Sequence, residues 1–204
     1  MEQGKKSAIT RQKILEAAEA EFAENGLAAA RVDTIAKHAG VNKQLIYAHF
    51  QSKENLYSMI LAQVYGRLSE YEKVLSESSF TGIETIRMII MEYFRFLVDN
   101  PNFVRLMLWE NLNGAAYLGD VKISLFSGAE KLLRQGVEKG YLRKDLDIEQ
   151  TAMSMNMFCF SAFSNIHTIS KFLDKDLSGK AELEKRAEHI SNVLIKYILS
   201  GEEG

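Results

Sequence analysis

The chain has 204 residues, of which 47% are hydrophobic, so it is long enough to bury a sizeable core. A formal net charge of −2 argues against a protein that coats nucleic acid through overall positive charge, and a single cysteine excludes an internal disulfide. The polar, basic start of the chain lacks the apolar core of a signal peptide, so we expect a reducing, cytoplasmic location.

One proline and long stretches with apolar residues at three- and four-residue spacing predict an all-α fold. The first predicted helix runs from Arg11 to Glu24, with Thr10 as its N-cap and Gly26 at its end. Residues 1–9 precede it as a polar arm. The arm is either a solvated tail or a contact for nucleic-acid phosphates.

Two short helices joined by a sharp turn are predicted next. The first runs from about Asp33 to His38 and ends at Gly40, which favours the left-handed conformation found after helix ends. The second runs from Lys43 to about Phe50, with Asn42 positioned to cap it.

The second short helix has an outer face that is unsuited to a core. Lys43 and Gln44 begin it, and both side chains can reach base edges in a major groove. Tyr47, His49 and the following Lys53 suit phosphate oxygens. The pattern therefore predicts a recognition helix, although two short amphipathic helices with a glycine corner also occur as plain scaffold.

Specific residues in this stretch resemble the TetR family of bacterial repressors. The matching positions are Ile14-Leu15, Ala17-Ala18, Phe22, Asn25-Gly26, Ile35-Ala36, Ala39-Gly40-Val41, Tyr47, Phe50, Ser52-Lys53-Glu54 and Leu56. The resemblance covers residues 10–57. It implies an N-terminal three-helix DNA-binding domain, a homodimer on a near-palindromic operator, and release by a small-molecule effector.

Four positions depart from the family pattern. Arg31 stands where members commonly have a Thr or Ser that caps the helix and contacts a phosphate; a guanidinium can still reach a phosphate. Leu45 replaces a small or hydroxylated residue, and Lys43-Gln44 is an uncommon pair. The operator sequence therefore cannot be transferred from the family.

Charge is divided unevenly along the chain. Residues 1–56 contain eight Lys and Arg against seven Asp and Glu, whereas the remainder contains 17 against 20. The acids of the first part lie mostly on the first helix, and the cations lie in the arm, the turn and the recognition helix. This distribution favours site-specific contacts with DNA.

The rest of the chain is predicted to be helical as well, giving a DNA-binding domain over 1–56 and a larger ligand-binding and dimerisation domain over 57–204. A linking helix from Ser52 to about Glu77 has Leu56, Ile60, Val64 and Leu68 in steps of four. Further helices are expected over 83–99, 102–112 and 121–139, with Asn100-Pro101 as a stop.

Residues 151–170 contain no Asp, Glu, Lys or Arg and are apolar all round, which predicts a helix buried on more than one side. The last helix, 181–199, has apolar residues spaced by four and three, as in a helix-pairing seam. The two helices could pack within one chain or form a four-helix bundle with a second copy. The family resemblance favours a homodimer through Phe158, Ala162, Ile190, Leu194 and Tyr197.

Methionine and aromatic residues between positions 88 and 163 suit a core that can also adapt to a lipophilic or aromatic effector. The predicted pocket residues are Met91, Phe94, Phe103, Met107, Trp109, Glu110, Asn156, Phe160 and Phe163. Glu110 either pairs with a cationic ligand or lies in solvent beside Arg105.

The sequence gives no reason to expect an enzyme. The four histidines lie outside metal-binding spacings, Cys159 lies in an apolar run that blunts its reactivity, and no glycine-rich phosphate loop occurs. We therefore expect neither a metal nor a cofactor.

The predicted function is a ligand-responsive repressor, bound to the bacterial nucleoid through its operator. The alternatives are an activator, or a helical small-molecule-binding or adaptor protein that does not bind DNA.

Overall fold

The computed structural model describes residues 2–119 and 126–199, with side chains from residue 6 onward, and in this part of the chain all regular structure is helical. The helices are α1 Glu2–Ala29, α2 Val32–Ala39, α3 Lys43–Phe50, α4 Lys53–Glu77, α5 Glu84–Asp99, α6 Pro101–Leu112, α7 Ser127–Glu138, α8 Ile148–Ser164, α9 Ile166–Phe172 and α10 Lys180–Leu199. The predicted all-α fold is confirmed.

The first compact unit comprises Met1–Arg67 and Pro101–Lys122, so it contains α1 to α3, the first part of α4, and α6. Helix α1 packs against both α2 and α6. The core of the first unit consists of fully buried apolar side chains from these helices, among them Ile14, Phe22, Ile35, Ile46, Phe50, Leu56, Ile60 and Phe103. The predicted functional boundary at residue 56 is therefore not a packing boundary, because α6 belongs to the same unit as the short helices.

Helix α1 differs from its prediction at both ends. It begins at Glu2 rather than after Thr10, whose hydroxyl donates to the Lys6 carbonyl at 2.9 Å inside the helix. The predicted polar arm and Thr10 cap are therefore wrong; good helix formers such as Glu, Gln, Lys and Ala extend the helix. Gly26 does leave the helical conformation, at φ 65° and ψ 175°, but one further turn follows to Ala29.

The next three helices match their predictions closely. Gly40 ends α2 in the left-handed conformation, and α3 has the predicted bounds. Ser52 caps α4 by accepting from the Asn55 amide at 3.0 Å. Sequence patterns define these ends well because each is fixed by one cap residue acting over three or four positions.

The second compact unit comprises Leu68–Asn100 and Ile123–Gly204. Helix α5 packs against α8 and α10, and α7 packs against α8. Its buried residues include Leu68, Phe80, Ile86, Ile90, Leu133, Ala152, Cys159, Ala187, Ile190 and Ile198. Helix α4 supplies residues to both units, as the predicted linking helix should.

The predicted helix over 151–170 is interrupted. Helix α8 ends at Ser164, Asn165 takes a non-helical conformation, and α9 follows without a single buried residue. The Asn165 side chain donates to the Ser161 carbonyl and to the Ser164 hydroxyl. Such local side-chain hydrogen bonds compete with the backbone hydrogen bonds of a helix, which is why Asn is disfavoured inside helices. The first residues of the predicted helix 121–139 lie outside the described part of the chain, and α7 occupies the rest.

Candidate nucleic-acid interface

The turn between α2 and α3 is fixed by backbone geometry. Gly40 takes φ 68° and ψ 34°, its amide donates to the Lys37 carbonyl, and the Val41 amide donates to the Ala36 carbonyl at 3.0 Å. This pair of bonds is the Schellman arrangement that satisfies the last carbonyls of a helix. The Asn42 side chain then accepts from the Leu45 amide at 2.8 Å, so α3 begins at a fixed angle to α2.

Helix α3 separates buried from exposed residues as the recognition-helix prediction requires. Ile46 and Phe50 are buried against the first unit, whereas Lys43, Gln44 and Tyr47 are exposed. A helix that is anchored on one side and presents polar side chains from its first turn on the other can enter a major groove. Leu45, which departs from the family pattern, is half-buried, so part of its side chain packs against the core.

Lys43 has a partner already. Its ammonium lies 2.9 Å from the Asp33 carboxylate on α2, and this hydrogen bond raises the pKa of Lys43. Both side chains are largely exposed, so solvent screens the pair. Asp33 therefore places a negative charge beside the side chains that were predicted to read bases.

The four predicted phosphate contacts differ in their surroundings. Arg31 and Tyr47 are exposed, and the Arg31 amide is anchored by the Glu21 carboxylate at 2.9 Å. His49 is half-buried, with its ring 5.9 Å from that of Phe50. The surroundings of Arg31 and Tyr47 therefore suit phosphate contact better than those of His49.

Lys53 has a structural task that the sequence did not reveal. Its ammonium donates to the carbonyls of Ala30 at 3.2 Å and Ala28 at 3.4 Å, just after the end of α1 and within its last turn. A lysine has three donors, so one remains for a phosphate. Spacing along the sequence could not have placed these carbonyls within reach, because they lie 23 and 25 residues away.

A strained turn follows α3. Gln51 has φ 66° and ψ −53°, and the amide of Ser52 donates to the Phe50 carbonyl at 2.7 Å, which forms a γ-turn. The Asn55 side chain donates to the same carbonyl at 2.9 Å. These bonds fix the entry of α4 relative to α3.

Helix α6 supports the short helices from within the first unit. The Trp109 ring covers Gly26 so closely that an added Cβ would lie 2.8 Å from a ring carbon, and its indole N–H donates to the Ala23 carbonyl at 3.2 Å. The Glu110 carboxylate, 2% exposed, accepts from the Tyr57 hydroxyl at 2.9 Å and the Tyr117 amide at 3.1 Å. The predicted solvated pair with Arg105 is wrong, because Glu110 is buried and Arg105 pairs with Glu24.

The nine predicted pocket residues fall in different places. Phe103 and Met107 contact Tyr65 in the first unit, beside Trp109 and Glu110. In the second unit, Met91 and Phe94 line an open groove with residues of α10, and Phe94 also contacts Phe163 with ring centroids 5.3 Å apart. Asn156 lines a separate cavity, and Phe160 is half-buried on α8. The structure therefore does not assemble them into one site.

A small cavity of about 20 Å³ lies inside the second unit, with room for one water molecule. It is lined by Tyr71, Glu72, Leu75, Ile89, Ile90, Tyr93, Phe126, Ala129, Ala152, Met155, Asn156 and Cys159. Burial raises the pKa of Cys159 to about 12 and also raises that of Glu72. The burial of Glu72 was not predicted from the sequence. A signal was present, because Glu72 continues the series Leu56, Ile60, Val64 and Leu68 in steps of four, at a position where an apolar residue is expected.

The predicted dimer residues are also divided. Phe158 and Tyr197 are 40% and 48% exposed, whereas Ile190 and Leu194 are buried within their own chain and Ala162 is half-buried. The prediction took the buried seam of α10 for the contact with a second copy. The large apolar residues of α10 that are exposed are Val193, Tyr197 and Leu199, and Met157 is exposed beside Phe158 on α8.

Two negative observations apply to the described residues. They contain no group of three or more His, Cys, Asp or Glu side chains arranged to hold a metal ion. Within the same ranges, no helix has the length and apolar character needed to cross a membrane.

A glycine corner, a capped second helix with an exposed polar face and a supporting α1 together define a helix-turn-helix DNA-binding protein. The family description "Bacterial regulatory proteins, tetR family" matches residues 14–60, and "Tetracyclin repressor-like, C-terminal domain" matches residues 83–194. The chain belongs to the TetR family. The predicted resemblance over residues 10–57 is confirmed and extends through the second unit.

Relatives agree with this assignment. The chain is 28% identical to the HTH-type transcriptional repressor NicS of Pseudomonas putida over 193 residues, which cover 92% of this chain and 91% of NicS. It is 30% identical to the HTH-type transcriptional repressor KstR2 of Mycobacterium tuberculosis over 144 residues, 68% and 72% of the two chains. The chain is thus a helix-turn-helix transcriptional regulator of this family.

Solved structures share the fold. A transcriptional regulator, SCO4942, from Streptomyces coelicolor aligns with a TM-score of 0.71 at 23% identity, over 93% of this chain and 98% of that one. The regulator FadR from Bacillus subtilis, solved in complex with stearoyl-CoA, aligns with a TM-score of 0.71 at 21% identity, over 95% and 100%.

Proposed function

We propose that Lys43 and Gln44 read base edges in the operator and that Arg31, Tyr47 and Lys53 hold its phosphates, with a smaller part for His49. The exposed polar face of α3, held by the buried Ile46 and Phe50, carries this proposal. The DNA contacts then all lie within residues 1–56, and helix α6 supports them from behind.

Binding to the DNA upstream of the protein's own gene tests these roles. Gln44→Ala should change which bases are preferred, because an amide makes directed hydrogen bonds to base edges. Tyr47→Phe should weaken binding to every sequence by a similar factor, because phosphate contacts carry no sequence information. Fluorescence anisotropy on a set of operators with single base-pair changes separates the two effects.

Lys73 provides a matched control for these variants. Lys73→Ala removes an exposed lysine from the second-unit part of α4 and should leave DNA binding unchanged. Equal loss on every operator for Gln44→Ala would remove Gln44 from base reading. The absence of any saturable, salt-sensitive binding by the wild-type protein would favour a helical small-molecule binder that does not bind DNA.

We assign effector binding to the second unit, centred on the cavity beside Glu72 and Asn156. The cavity lies among adaptable Met and aromatic side chains, so a lipophilic or aromatic molecule can enlarge it. Helix α4 supplies residues both to this cavity and to the first unit, so it can transmit the effect. Reversing a 1:99 balance between two states needs about 5.5 kcal/mol of differential binding.

We assign dimerisation to the exposed apolar residues Met157 and Phe158 of α8 and Val193 and Tyr197 of α10. Met157 and Phe158 are adjacent on α8, Val193 and Tyr197 lie four residues apart on α10, and α8 contacts α10. Large exposed apolar side chains on contacting helices are typical of an interface. Val193→Glu should yield a monomer in size-exclusion chromatography with light scattering. The control Val74→Glu changes a similarly exposed valine on α4 and should leave the dimer intact.

The proposal also covers the cellular location of the protein and its lack of catalytic activity. We place the protein in the cytoplasm, associated with the nucleoid when it is bound to DNA. We propose no catalytic activity, since the buried Cys159 has a raised pKa that disfavours the nucleophilic thiolate.

A further inference from the structure

We propose that Asp33 is a specificity-determining residue: its carboxylate holds the Lys43 ammonium and so directs this lysine to base edges instead of phosphates. This inference rests on the proposed function, in which Lys43 reads bases, and adds a residue of α2 to the reading face. It is carried by the ion pair between the two side chains, the fixed turn between their helices and the charge pattern of this part of the chain.

Asp33 is an exception in the charge pattern of the first unit. Between Glu24 and Glu54 it is the only acidic residue, whereas four Lys and Arg occur in the same stretch. A carboxylate at this place weakens the attraction between the surrounding cations and the phosphates of DNA. General affinity for DNA therefore does not account for Asp33.

The helix position of Asp33 is also compatible with a purely structural role. Asp33 lies in the first turn of α2, where a carboxylate stabilises the N-terminus of the helix. Its Oδ2 atom, however, accepts a hydrogen bond from Nζ of Lys43 at 2.9 Å. A purely structural carboxylate would affect binding to every DNA sequence equally, whereas one that holds Lys43 changes the difference between sequences.

The turn between α2 and α3 fixes the position of this ion pair. The left-handed Gly40 and the Asn42 cap set the start of α3 relative to α2, which leaves the Lys43 ammonium within hydrogen-bond distance of Asp33. A free lysine side chain is flexible and can reach phosphates in several directions. The pair holds the ammonium in one position at the start of both helices.

Bases and phosphates respond differently to the Asp33 carboxylate. A phosphate that approached the Lys43 ammonium would bring a second anion beside Asp33, and this like-charge contact is unfavourable. Guanine O6 and N7 accept hydrogen bonds from lysine in the major groove and carry no formal charge. The pair is largely exposed and screened by solvent, so it is weak enough for the ammonium to turn to a base. Asp33 therefore penalises phosphate contacts of Lys43 more than base contacts.

The salt dependence of binding gives a readout that a structural role would not change. Each lysine that neutralises a phosphate releases condensed counterions, so the logarithm of the affinity falls more steeply with the logarithm of the salt concentration. Asp33→Asn frees Lys43 for phosphates. On DNA without an operator, the slope should therefore become steeper by about one per protomer.

Fluorescence anisotropy on two duplexes tests the proposal. One is the operator, mapped by footprinting in the DNA upstream of the protein's own gene, and the other is a scrambled duplex of the same length and base composition. We expect Asp33→Asn to raise affinity for the scrambled duplex at least threefold more than affinity for the operator. An unchanged ratio of the two affinities, or an unchanged salt slope on the scrambled duplex, would overturn the proposal.

Two further variants define how the carboxylate acts. Glu54→Gln is the matched control, because it removes an exposed acid from the first turn of another helix in the same unit, and it should leave the affinity ratio unchanged. In a Lys43→Ala background, Asp33→Asn should no longer change the ratio, because the lysine through which Asp33 acts is gone. An equal fall in the ratio for Glu54→Gln, or a fall that persists without Lys43, would contradict the role of Asp33. Urea denaturation verifies that each variant is folded.

The same measurements separate this inference from the function on which it rests. If the wild-type protein shows no saturable, salt-sensitive binding to the upstream DNA, both fail. If Lys43→Ala changes the preferred bases while Asp33→Asn leaves the affinity ratio unchanged, Lys43 reads bases without Asp33, and only this inference fails.

Discussion

Among the described residues two carboxylates are buried, one in each compact unit, and their surroundings differ. Glu110 accepts from a tyrosine hydroxyl and an amide in the first unit, next to the Trp109 ring that covers Gly26. Glu72 accepts from two amides in the second unit and also borders a cavity. Both acids lack the cationic partner that a buried charge normally has.

The difference indicates which acid is structural. The Glu110 bonds join α6 to α4 and to the turn after α6, and the desolvated Tyr57 hydroxyl that donates to it has a raised pKa. Glu72 instead has a small space next to it. The hydrogen bonds to Glu110 stabilise the first unit, whereas the space beside Glu72 leaves room for one water molecule. The predictions below test this contrast.

The largest effect is expected at Gly26. Gly26→Ala places a Cβ against the Trp109 ring and forces a backbone conformation that is essentially restricted to glycine, at a cost of about 3 kcal/mol or more in the free energy of unfolding. Gly66→Ala is the control, because Gly66 is helical and has open space around its Cβ position. It should stabilise the protein by up to about 1 kcal/mol. Urea denaturation measures both.

Glu110→Ala should cost about 2–4 kcal/mol in the free energy of unfolding, because it leaves the Tyr57 hydroxyl and the Tyr117 amide without their acceptor. Tyr57→Phe should cost less, since the carboxylate keeps one donor. A double-mutant cycle gives the coupling between the two side chains. Strictly additive losses would mean that the bond does not hold α6 to α4.

Glu72→Gln should change stability less, and in a pH-dependent way. Burial raises the folded pKa of Glu72 above its usual 4.5, so the folded protein binds this proton more tightly than the unfolded chain does. The ionised carboxylate therefore lowers stability, by about 1.4 kcal/mol for each unit of pKa shift, once the pH exceeds the folded pKa. Relative to the Gln variant, wild type should lose stability as pH rises from 4 to 8. A constant difference over this range would contradict the direction of the shift.

The smallest expected effect concerns the exposed pair in the first unit. Asp33→Asn frees Lys43 and removes a negative charge from this exposed face, so operator affinity should rise a few-fold at low salt. Anisotropy at two salt concentrations measures the gain, which should shrink at the higher one. The control Asp176→Asn, on the second unit, should have no effect on DNA affinity.

Individual residues show how far sequence patterns reach. Asn42 and Ser52 were predictable because an N-cap side chain accepts from an amide three residues away, and Gly40 because a residue with positive φ ends a helix. The bounds of α3 follow from these local signals. Lys53 on the Ala30 carbonyl, Trp109 on Gly26 and Tyr57 on Glu110 were not predictable, since each pair is separated by 23 or more residues. The pocket prediction was affected most, because Met and aromatic residues look alike in sequence whether they fill a core or line a cavity.

The sequence by itself determined the class of protein: an all-α chain with a helix-turn-helix, whose polar residues on α3 were separated from its apolar ones by helical periodicity. Tertiary structure decided which of two equally acidic residues borders a cavity, and which apolar residues of α8 and α10 remain exposed. Periodicity says which side of a helix is apolar. It does not say how much of that side the same chain covers, because coverage depends on contacts between residues far apart in the sequence.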